Sequence, residues 1–341
     1  MNPMPDTAAN SSPIAIIGAG SWGTALAIVL ARKGLEIRLW SHTPELAELL
    51  RARRENPKYL PAQALPETVV PTADLAACLA AASHILVAVP SHVLRGVARQ
   101  LRPHLPPDAG LISASKGLER GTLARMTEVL AAELPQSSRL AALSGPSFAL
   151  EVARGEPAAL VLASTNAEFA AAAQALLSTS SLRLYASSDC VGAELAAALK
   201  NVIAIAAGIC TGLGLGGNTQ AALIARGLAE MTRLAVALGG RPETLAGLAG
   251  LGDLVLTCTG ELSRNRRLGL ALAQGKSLAE GLTGLGGMVA EGVAACDAAL
   301  ELARRNQIEL PITAQMHRVL FDGGTPRQAI EALMRRPLRP E

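Results

Sequence analysis

A lysine inside an apolar helical stretch is the residue of this sequence best suited to acid–base chemistry. Lys200 lies in ELAAALKNVIAIAAG, where partial burial would lower the pKa of its amine towards neutrality. Such an amine can give or take a proton near neutral pH. No histidine lies between residue 188 and His317, in the part of the chain that contains Lys200. The alternative, which composition alone favours, is a lysine whose charged end reaches solvent at a helix end.

A glycine-rich turn directly after an apolar run is a second chemical signal. The stretch IAIIGAGSWGTALA has Gly18, Gly20 and Gly23 at the spacing G-x-G-x-x-G, between a predicted strand and a predicted helix. The first glycine permits a tight turn, the second lets backbone approach a pyrophosphate, and the third packs helix against strand. The N-terminus of the helix then presents unpaired N–H groups to phosphate. This context predicts a dinucleotide site.

The same glycine spacing recurs at Gly212, Gly214 and Gly217. No strand precedes this second motif, and the surrounding sequence is helical. A flexible glycine-rich turn is therefore favoured there over a second dinucleotide site.

The end of the second predicted strand bears on which dinucleotide is bound. An acidic residue there would bind the ribose 2′-hydroxyl and repel a 2′-phosphate, but the chain reads Ser41-His42. These two residues could accommodate the phosphate of NADP(H), with Arg51, Arg53 or Arg54 nearby. For each arginine taken singly, a solvated helix face is the favoured interpretation. We predict that NADPH is used and that NADH is also accepted.

Three adjacent polar residues, Ser263, Arg264 and Asn265, supply a hydroxyl, a guanidinium and an amide within one short turn. This set suits a phosphate monoester, because the arginine fork matches two phosphate oxygens. The next two arginines, Arg266 and Arg267, are more typical of a solvated basic face.

Two further charged residues are candidates for the same site. Asp253 lies in an apolar, glycine-rich stretch, where a buried carboxylate needs a cationic partner. We expect that partner to be Lys200, the alternative being that Asp253 caps the following helix. Lys116 follows the predicted strand LISAS, at the end of the sheet where ligands of open α/β sheets bind.

The elements that must position these residues change character along the chain. Strand-like apolar runs alternate with helical ones at 14–17, 35–40, 85–89, 111–114, 140–143, 158–163 and 182–185. This alternation predicts a doubly wound parallel sheet with helices on both faces. From about residue 188 the strand signals fade and helical patterns continue. We therefore predict an α/β domain at 14–187 and an all-α domain at 188–334.

Composition excludes several classes of protein. The 341 residues are 50% hydrophobic and 17% charged, which excludes a disordered chain. An aromatic content of 2% and a net charge of +3 argue against a nucleic-acid binder. The five cysteines form no C-x-x-C pair, so we expect neither a disulfide framework nor a metal site.

The sequence also bears on location. Its first residues have no basic segment followed by an apolar one, so we expect no signal peptide. The longest charge-free stretch, residues 201–225, is broken by glycine and by polar residues. We interpret it as a buried helix rather than a membrane span, and we expect the protein in the reducing cytoplasm.

Several motifs occur together in a characteristic order. They are VPSH (89–92), SKGLE (115–119), SGPSFA (144–149), LKNVIAIAAG (199–208), GLGDLVLTC (250–258) and SRNRRLG (263–269). Together with GAGSWGTALA, these motifs closely resemble those of the bacterial NAD(P)-dependent glycerol-3-phosphate dehydrogenases, and the resemblance extends over about residues 14–333.

The resemblance implies a Rossmann-type domain, an all-helical domain and a cleft between them. It also implies reversible reduction of dihydroxyacetone phosphate to sn-glycerol 3-phosphate with NADPH or NADH, a step that supplies phospholipid synthesis. Lys200 is then the catalytic residue. Substrate contacts would come from Lys116, Gly145, Ser147, Lys200, Asp253, Ser263, Arg264 and Asn265. Cofactor contacts would come from Gly18, Gly20, Ser21, Trp22, Gly23, His42, Lys116, Ala149, Arg264, Val289 and Glu291.

Two alternatives stay open from the sequence. One is a 3-hydroxyacid or 6-phosphogluconate-type dehydrogenase, which also pairs a Rossmann domain with a helical domain and a catalytic lysine. The other is a non-catalytic NAD(P)H-sensing module, against which the presence of both Lys116 and Lys200 argues. As partners we expect a small phosphorylated triose, neither nucleic acid nor membrane, and a homodimer as one candidate assembly.

Overall fold

The computed structural model describes residues 12–286 and 288–338. Its first half is built on an eight-stranded sheet of order β10-β9-β8-β7-β6-β1-β2-β5, with β3 and β4 forming a separate antiparallel hairpin. The strands are β1 (Ile14–Ile17), β2 (Ile37–Trp40), β3 (Glu55–Asn56), β4 (Leu60–Ala64), β5 (Val69–Thr72), β6 (His84–Val87), β7 (Gly110–Ser113), β8 (Leu140–Ser144), β9 (Ala158–Ala163) and β10 (Leu182–Ser187).

Helices cover both faces of this sheet, as the sequence predicted. Successive side chains of β1 enter different cores: Ile14 and Ile16 pack on one face of the sheet, and Ala15 and Ile17 on the other. A strand buried on both faces reads as a continuous apolar run, which is why IAII is recognisable. The helices of this half are α1 (Ser21–Ala31), α2 (Pro44–Arg53), α3 (Leu75–Leu79), α4 (Leu94–Leu101), α5 (Met126–Glu133), α6 (Ala149–Arg154) and α7 (Ala167–Leu177).

The expectation of a wholly parallel sheet is wrong at one pairing. Strands β8 and β9 run antiparallel, with Leu143 opposite Leu162, whereas the other pairings in this sheet are parallel. An apolar run indicates that a strand is buried but carries no information about its direction.

Three short strands, β3, β4 and β5, were not predicted. Strand β5 contains Pro71 and lies at the sheet edge, and proline within a short run normally argues against a strand. Strand β4 is largely exposed, so it lacks the apolar pattern that marks a core strand.

The second half of the described chain is helical. Its elements are α8 (Cys190–Gly212), α9 (Gly217–Ala237), α10 (Pro242–Ala246), α11 (Asp253–Thr259), α12 (Arg264–Ala273), α13 (Leu278–Thr283), α14 (Glu291–Arg305), α15 (Pro311–Phe321) and α16 (Pro326–Met334). The glycine-rich segment at 212–217 joins α8 to α9 as a turn, as predicted. The domain limits at 187 and 188 stay a prediction.

Helix α8 is the centre of this half. It is long and apolar enough to cross a bilayer by length and composition, but 89% of its most apolar window is buried inside the protein. Two glycines let α12 touch it. A Cβ on Gly208 would lie 2.0 Å from the carbonyl oxygen of Arg266, and a Cβ on Gly269 would lie 2.0 Å from that of Ile205. The same packing puts Asn201, the neighbour of Lys200 on α8, within hydrogen-bond distance of Asn265, the neighbour of Arg264 on α12.

A buried ion pair joins the two halves away from that site. Glu194 on α8, 5% exposed, accepts hydrogen bonds from the guanidinium of Arg125 (2.7 Å) and from the backbone N–H of Thr127 (2.8 Å). Both partners lie at the start of α5. Because burial raises the pKa of Glu194 while Arg125 opposes that change, the carboxylate depends on these partners.

We expect Glu194→Ala to lower the free energy of unfolding by about 3–5 kcal/mol, because it leaves the Arg125 guanidinium without its buried partner. The matched control is Glu301→Ala, which removes a partly exposed carboxylate that also pairs with arginines and should cost much less, because solvent screens such surface pairs. Urea denaturation of both variants measures the difference. Equal denaturation midpoints for Glu194→Ala and Glu301→Ala would show that the buried pair does not stabilise the fold more than the surface pairs.

Candidate active site

A single buried carboxylate lies between two lysines from different halves of the chain. Asp253, the first residue of α11, is 1% exposed. Its Oδ1 accepts a hydrogen bond from Nζ of Lys200, and its Oδ2 accepts one from Nζ of Lys116 at 2.8 Å. The sequence predicted Lys200 as the partner of Asp253 but did not predict the second lysine. The two lysines also hold the pKa of Asp253 below its usual value.

Lys200 is buried to the tip of its side chain. It is 5% exposed, and its Nζ also donates to Oγ1 of Thr257 at 2.8 Å. Burial lowers the pKa of Lys200 to about 7; Asp253 opposes that shift, and the neighbouring Lys116 ammonium adds to it. The amine can therefore change protonation near neutral pH. The interpretation as a solvent-exposed lysine at a helix end is wrong for this structure.

Thr257 is a contact that sequence reasoning missed. It lies four residues after Asp253 on α11, so both side chains face α8. Its Oγ1 donates to the backbone oxygen of Asp253 at 2.6 Å and accepts from Lys200. The i, i+4 spacing was the available signal.

Lys116 also contacts the turn after β8, so that this turn lies beside Asp253. Its Nζ donates to the carbonyl oxygen of Gly145 at 2.9 Å and lies 3.5 Å from Oγ of Ser147. Gly145 has φ +132°, a conformation that favours glycine, and a Cβ there would lie 3.0 Å from the side chain of Leu160. The predicted substrate residues Lys116, Gly145, Ser147, Lys200 and Asp253 thus share one site.

The predicted phosphate turn forms the start of α12. Oγ of Ser263 accepts from the N–H of Arg266 at 3.2 Å, so this serine caps the helix. The Asn265 amide bridges Oδ1 of Asn201 (2.9 Å) and the N–H of Gly292 (3.0 Å). Two of the three residues therefore already have partners in the protein.

Arg264 is the exception within this turn. Its guanidinium makes no hydrogen bond to any of the residues that the structure describes, although it is largely buried. Burial lowers the pKa of Arg264, and the charge of Glu291 opposes that change. A desolvated guanidinium without a carboxylate bonded to it is a strong binding group for an anion.

A second contact between the halves involves Glu291. Its Oε2 accepts from Oγ of Ser91 at 2.7 Å, and its Oε1 from the N–H of Ser91 at 3.3 Å. Ser91 lies just after β6, at the carboxyl end of the parallel strands. Glu291 therefore borders the cleft, with half-buried Val289 two residues before it.

The glycine turn after β1 has the shape of a dinucleotide site. A Cβ on Gly18 would lie 2.7 Å from the carbonyl oxygen of Ala88, and one on Gly23 would lie 1.9 Å from that of Gly18. A Cβ on Gly20, by contrast, would meet nothing within 4 Å. The turn is thus closely packed on the protein side and open where a pyrophosphate would approach.

The start of α1 has hydrogen-bond donors without a partner among the described residues. No side chain caps the N-terminus of α1, and Nε1 of Trp22 is buried with no partner in 12–286 or 288–338. Half-buried Ser21 and Ala149 begin α1 and α6. These observations fit a bound dinucleotide.

The residues after β2 only partly match the expectation for a 2′-phosphate. His42 is exposed, but Ser41 is 1% exposed and bonds to Thr43. Arg54 is committed to backbone carbonyls, including that of Val69 at 3.0 Å. Ser41 and Arg54 are therefore wrong as phosphate ligands, because their polar groups are already used within the chain.

Comparisons with known proteins agree with this geometry. Residues 13–170 match the family model described as NAD-dependent glycerol-3-phosphate dehydrogenase N-terminus, and residues 189–331 match the corresponding C-terminus. The chain belongs to this family. A glycerol-3-phosphate dehydrogenase [NAD(P)+] of Koribacter versatilis is 52% identical to it, over 96% of this chain and 98% of that one. One of Geobacter sulfurreducens is 51% identical, over 97% and 99%.

A solved structure is similar throughout. The crystal structure of glycerol-3-phosphate dehydrogenase from Coxiella burnetii superposes with a TM-score of 0.91 at 45% identity, and covers 95% of this chain and 99% of that one. The predicted resemblance, the fold class and the assignment as an NAD(P)-dependent dehydrogenase are thereby confirmed. Neither alternative, the 3-hydroxyacid-type enzyme or the sensing module, is favoured.

Proposed function

We propose that this protein catalyses the reversible NAD(P)H-dependent reduction of dihydroxyacetone phosphate to sn-glycerol 3-phosphate, which supplies glycerophospholipid synthesis. The observation that carries the proposal is the buried Asp253 carboxylate shared by Lys116 and Lys200. Arg264 begins α12, which packs closely against α8, the helix of Lys200. This arrangement offers a titrating amine and an anion site in one cleft.

The cofactor would be held at the carboxyl ends of the strands. When bound, it supplies the hydride. The residues proposed to contact it are Gly18, Gly20, Ser21, Trp22, Gly23, His42, Lys116, Ala149, Arg264, Val289 and Glu291. The open turn at Gly20 and the orphaned indole N–H of Trp22 support this proposal.

Lys200 moves the proton. In reduction its ammonium donates a proton to the oxygen of the substrate ketone, and in oxidation the neutral amine takes the hydroxyl proton. Asp253 and Thr257 fix the direction of Nζ. Because the pKa of Lys200 is about 7, both protonation states are accessible at the same pH.

Lys116 and the Ser263–Asn265 turn hold the phosphate. Lys116 and Arg264 are cationic, and Lys200 adds a third positive charge when it is protonated, against the carboxylates of Asp253 and Glu291. With Lys200 protonated, the net positive charge of these groups favours an anionic substrate. Arg264 is the first residue of a ten-residue helix, α12, whose N-terminus favours the same charge. Gly145 and Ser147 line the substrate from the turn after β8.

Removal of the Lys200 amine should stop proton transfer while the fold is retained. We expect Lys200→Met to lower kcat by at least about a hundredfold, because Met keeps the apolar stem and Asp253 keeps Lys116 as a partner. Cofactor affinity should change little. Exposed Lys276→Met is the matched control. The assay follows NADPH oxidation started by dihydroxyacetone phosphate. If Lys200→Met keeps more than about a tenth of the activity, the proton transfer must be assigned to another group.

The two directions of the reaction should depend on pH in opposite ways. With a pKa of about 7 for Lys200, kcat for reduction should fall above pH 7, because the ammonium is lost. Kcat for oxidation should fall below pH 7, because the neutral amine is lost. Asp253 raises the pKa of Lys200, so Asp253→Asn should move both limbs to lower pH. Profiles of kcat against pH that do not move in this variant would contradict the assignment.

Arg264 should determine recognition of the phosphate. We expect Arg264→Ala to raise KM for dihydroxyacetone phosphate by about tenfold or more, since a charge-assisted hydrogen bond contributes about 1.5–3 kcal/mol. Exposed Arg267→Ala on the same helix should leave KM unchanged. Steady-state kinetics of the unmutated enzyme with dihydroxyacetone and with dihydroxyacetone phosphate complete the test. Comparable kcat/KM values for the two compounds would contradict a phosphate-binding site.

The oligomeric state and the location of the protein are further proposals. We propose a homodimer, which sedimentation at several concentrations would measure, and a cytoplasmic location, which fractionation of cells would measure.

A further inference from the structure

A buried asparagine outside every motif bonds to the glycine turn. Asn56 in β3 is 0% exposed. Its Nδ2 donates to the carbonyl oxygen of Ala19 at 3.0 Å and to Oγ1 of Thr24 at 2.8 Å, and its Oδ1 accepts from the N–H of Tyr59 at 3.1 Å. Both amide hydrogens therefore go to the segment that opens α1.

The hydrogen bond from Asn56 to the Ala19 oxygen also sets the direction of the Gly20 N–H, which belongs to the same peptide group. A trans peptide is planar, so its N–H points opposite to its C=O, and the described residues contain no cis bond. With the Ala19 oxygen held by Asn56, the N–H of Gly20 is directed away from the β3–β4 hairpin. That N–H donates to no backbone group within 12–286 or 288–338, and a Cβ added to Gly20 would meet nothing within 4 Å.

The hairpin that carries Asn56 is itself firmly held. Arg54, in a left-handed conformation with φ 50°, donates to the carbonyl oxygens of Val69 (3.0 Å) and Leu65 (3.3 Å) and to that of Pro66. Leu60 at the start of β4 is 3% exposed and packs in the same core as α1. Asn56 is thus presented to the turn from a fixed support.

We propose that Asn56 is a positioning residue for the cofactor: it orients the Ala19–Gly20 peptide so that the Gly20 N–H faces the pyrophosphate. This inference rests on the dinucleotide binding that forms part of the proposed function. It assigns a purpose to the β3–β4 hairpin, which adds no strand to the main sheet.

Binding, rather than activity, tests the proposal. Calorimetry would measure the dissociation constants of NADPH, which contains the pyrophosphate, and of adenosine 2′-phosphate, which does not. Asn56→Asp keeps the acceptor for Tyr59 but loses the donors to Ala19 and Thr24. We expect NADPH to bind about tenfold more weakly or worse, and adenosine 2′-phosphate to bind within about twofold of the unmutated protein.

Two further variants separate this effect from loss of folding. Asn56→Ala places no charge in the core and should show the same selective loss, so it decides the matter if Asn56→Asp does not fold. Asn166→Ala removes the cap of α7 and should lower thermal stability without changing NADPH binding. Unchanged NADPH affinity in Asn56→Ala, or equal weakening of both ligands, would overturn the proposal. Failure of the unmutated protein to bind NADPH would instead overturn the proposed function.

Discussion

The buried carboxylate of Asp253 is the constraint on which the site depends. An isolated carboxylate at 1% exposure would be protonated or would unfold the protein, because its desolvation is costly. Two ammonium groups compensate for it, one from the segment after β7 and one from α8. The pairing therefore fixes the helical half against the sheet, and it leaves one positive charge in excess. The Asp253–lysine pairing that joins the two halves therefore also favours binding of an anion between them.

The sharing of one carboxylate by two lysines also accounts for the chemistry of Lys200. A full ion pair with Asp253 would hold its pKa high and prevent proton release. Lys116 competes for the carboxylate and repels the second ammonium, so burial prevails and the pKa falls to about 7. Lys116, whose side chain is 20% exposed, thus lowers the pKa of Lys200 without itself taking part in the proton transfer.

Local patterns in the sequence were enough for those parts of the fold that local interactions determine. The strand–turn–helix at Gly18–Gly23 and the apolar run of α8 are continuous in sequence, and both were predicted. The antiparallel direction of β9 and the second partner of Asp253 depend on contacts between distant residues, which periodicity does not report. Asn56 was missed for a related reason: a small polar residue outside any motif carries no signal until its partners are known. Thr257 did have a signal, its i, i+4 spacing from Asp253, but that spacing alone does not show that its hydroxyl bonds to Lys200.

Two buried neutral amides hold backbone groups in the two halves of the chain. Asn56 holds the carbonyl oxygen of Ala19, and Asn265 holds the N–H of Gly292 beside Glu291. A charged group at either buried position would act over several ångströms, because the effective dielectric inside a protein is lower than that of water. An amide instead fixes the backbone through short hydrogen bonds and adds little electrostatic field beyond them. The backbone at both positions is thereby oriented without adding a charge to those of Glu291, Arg264 and the two lysines.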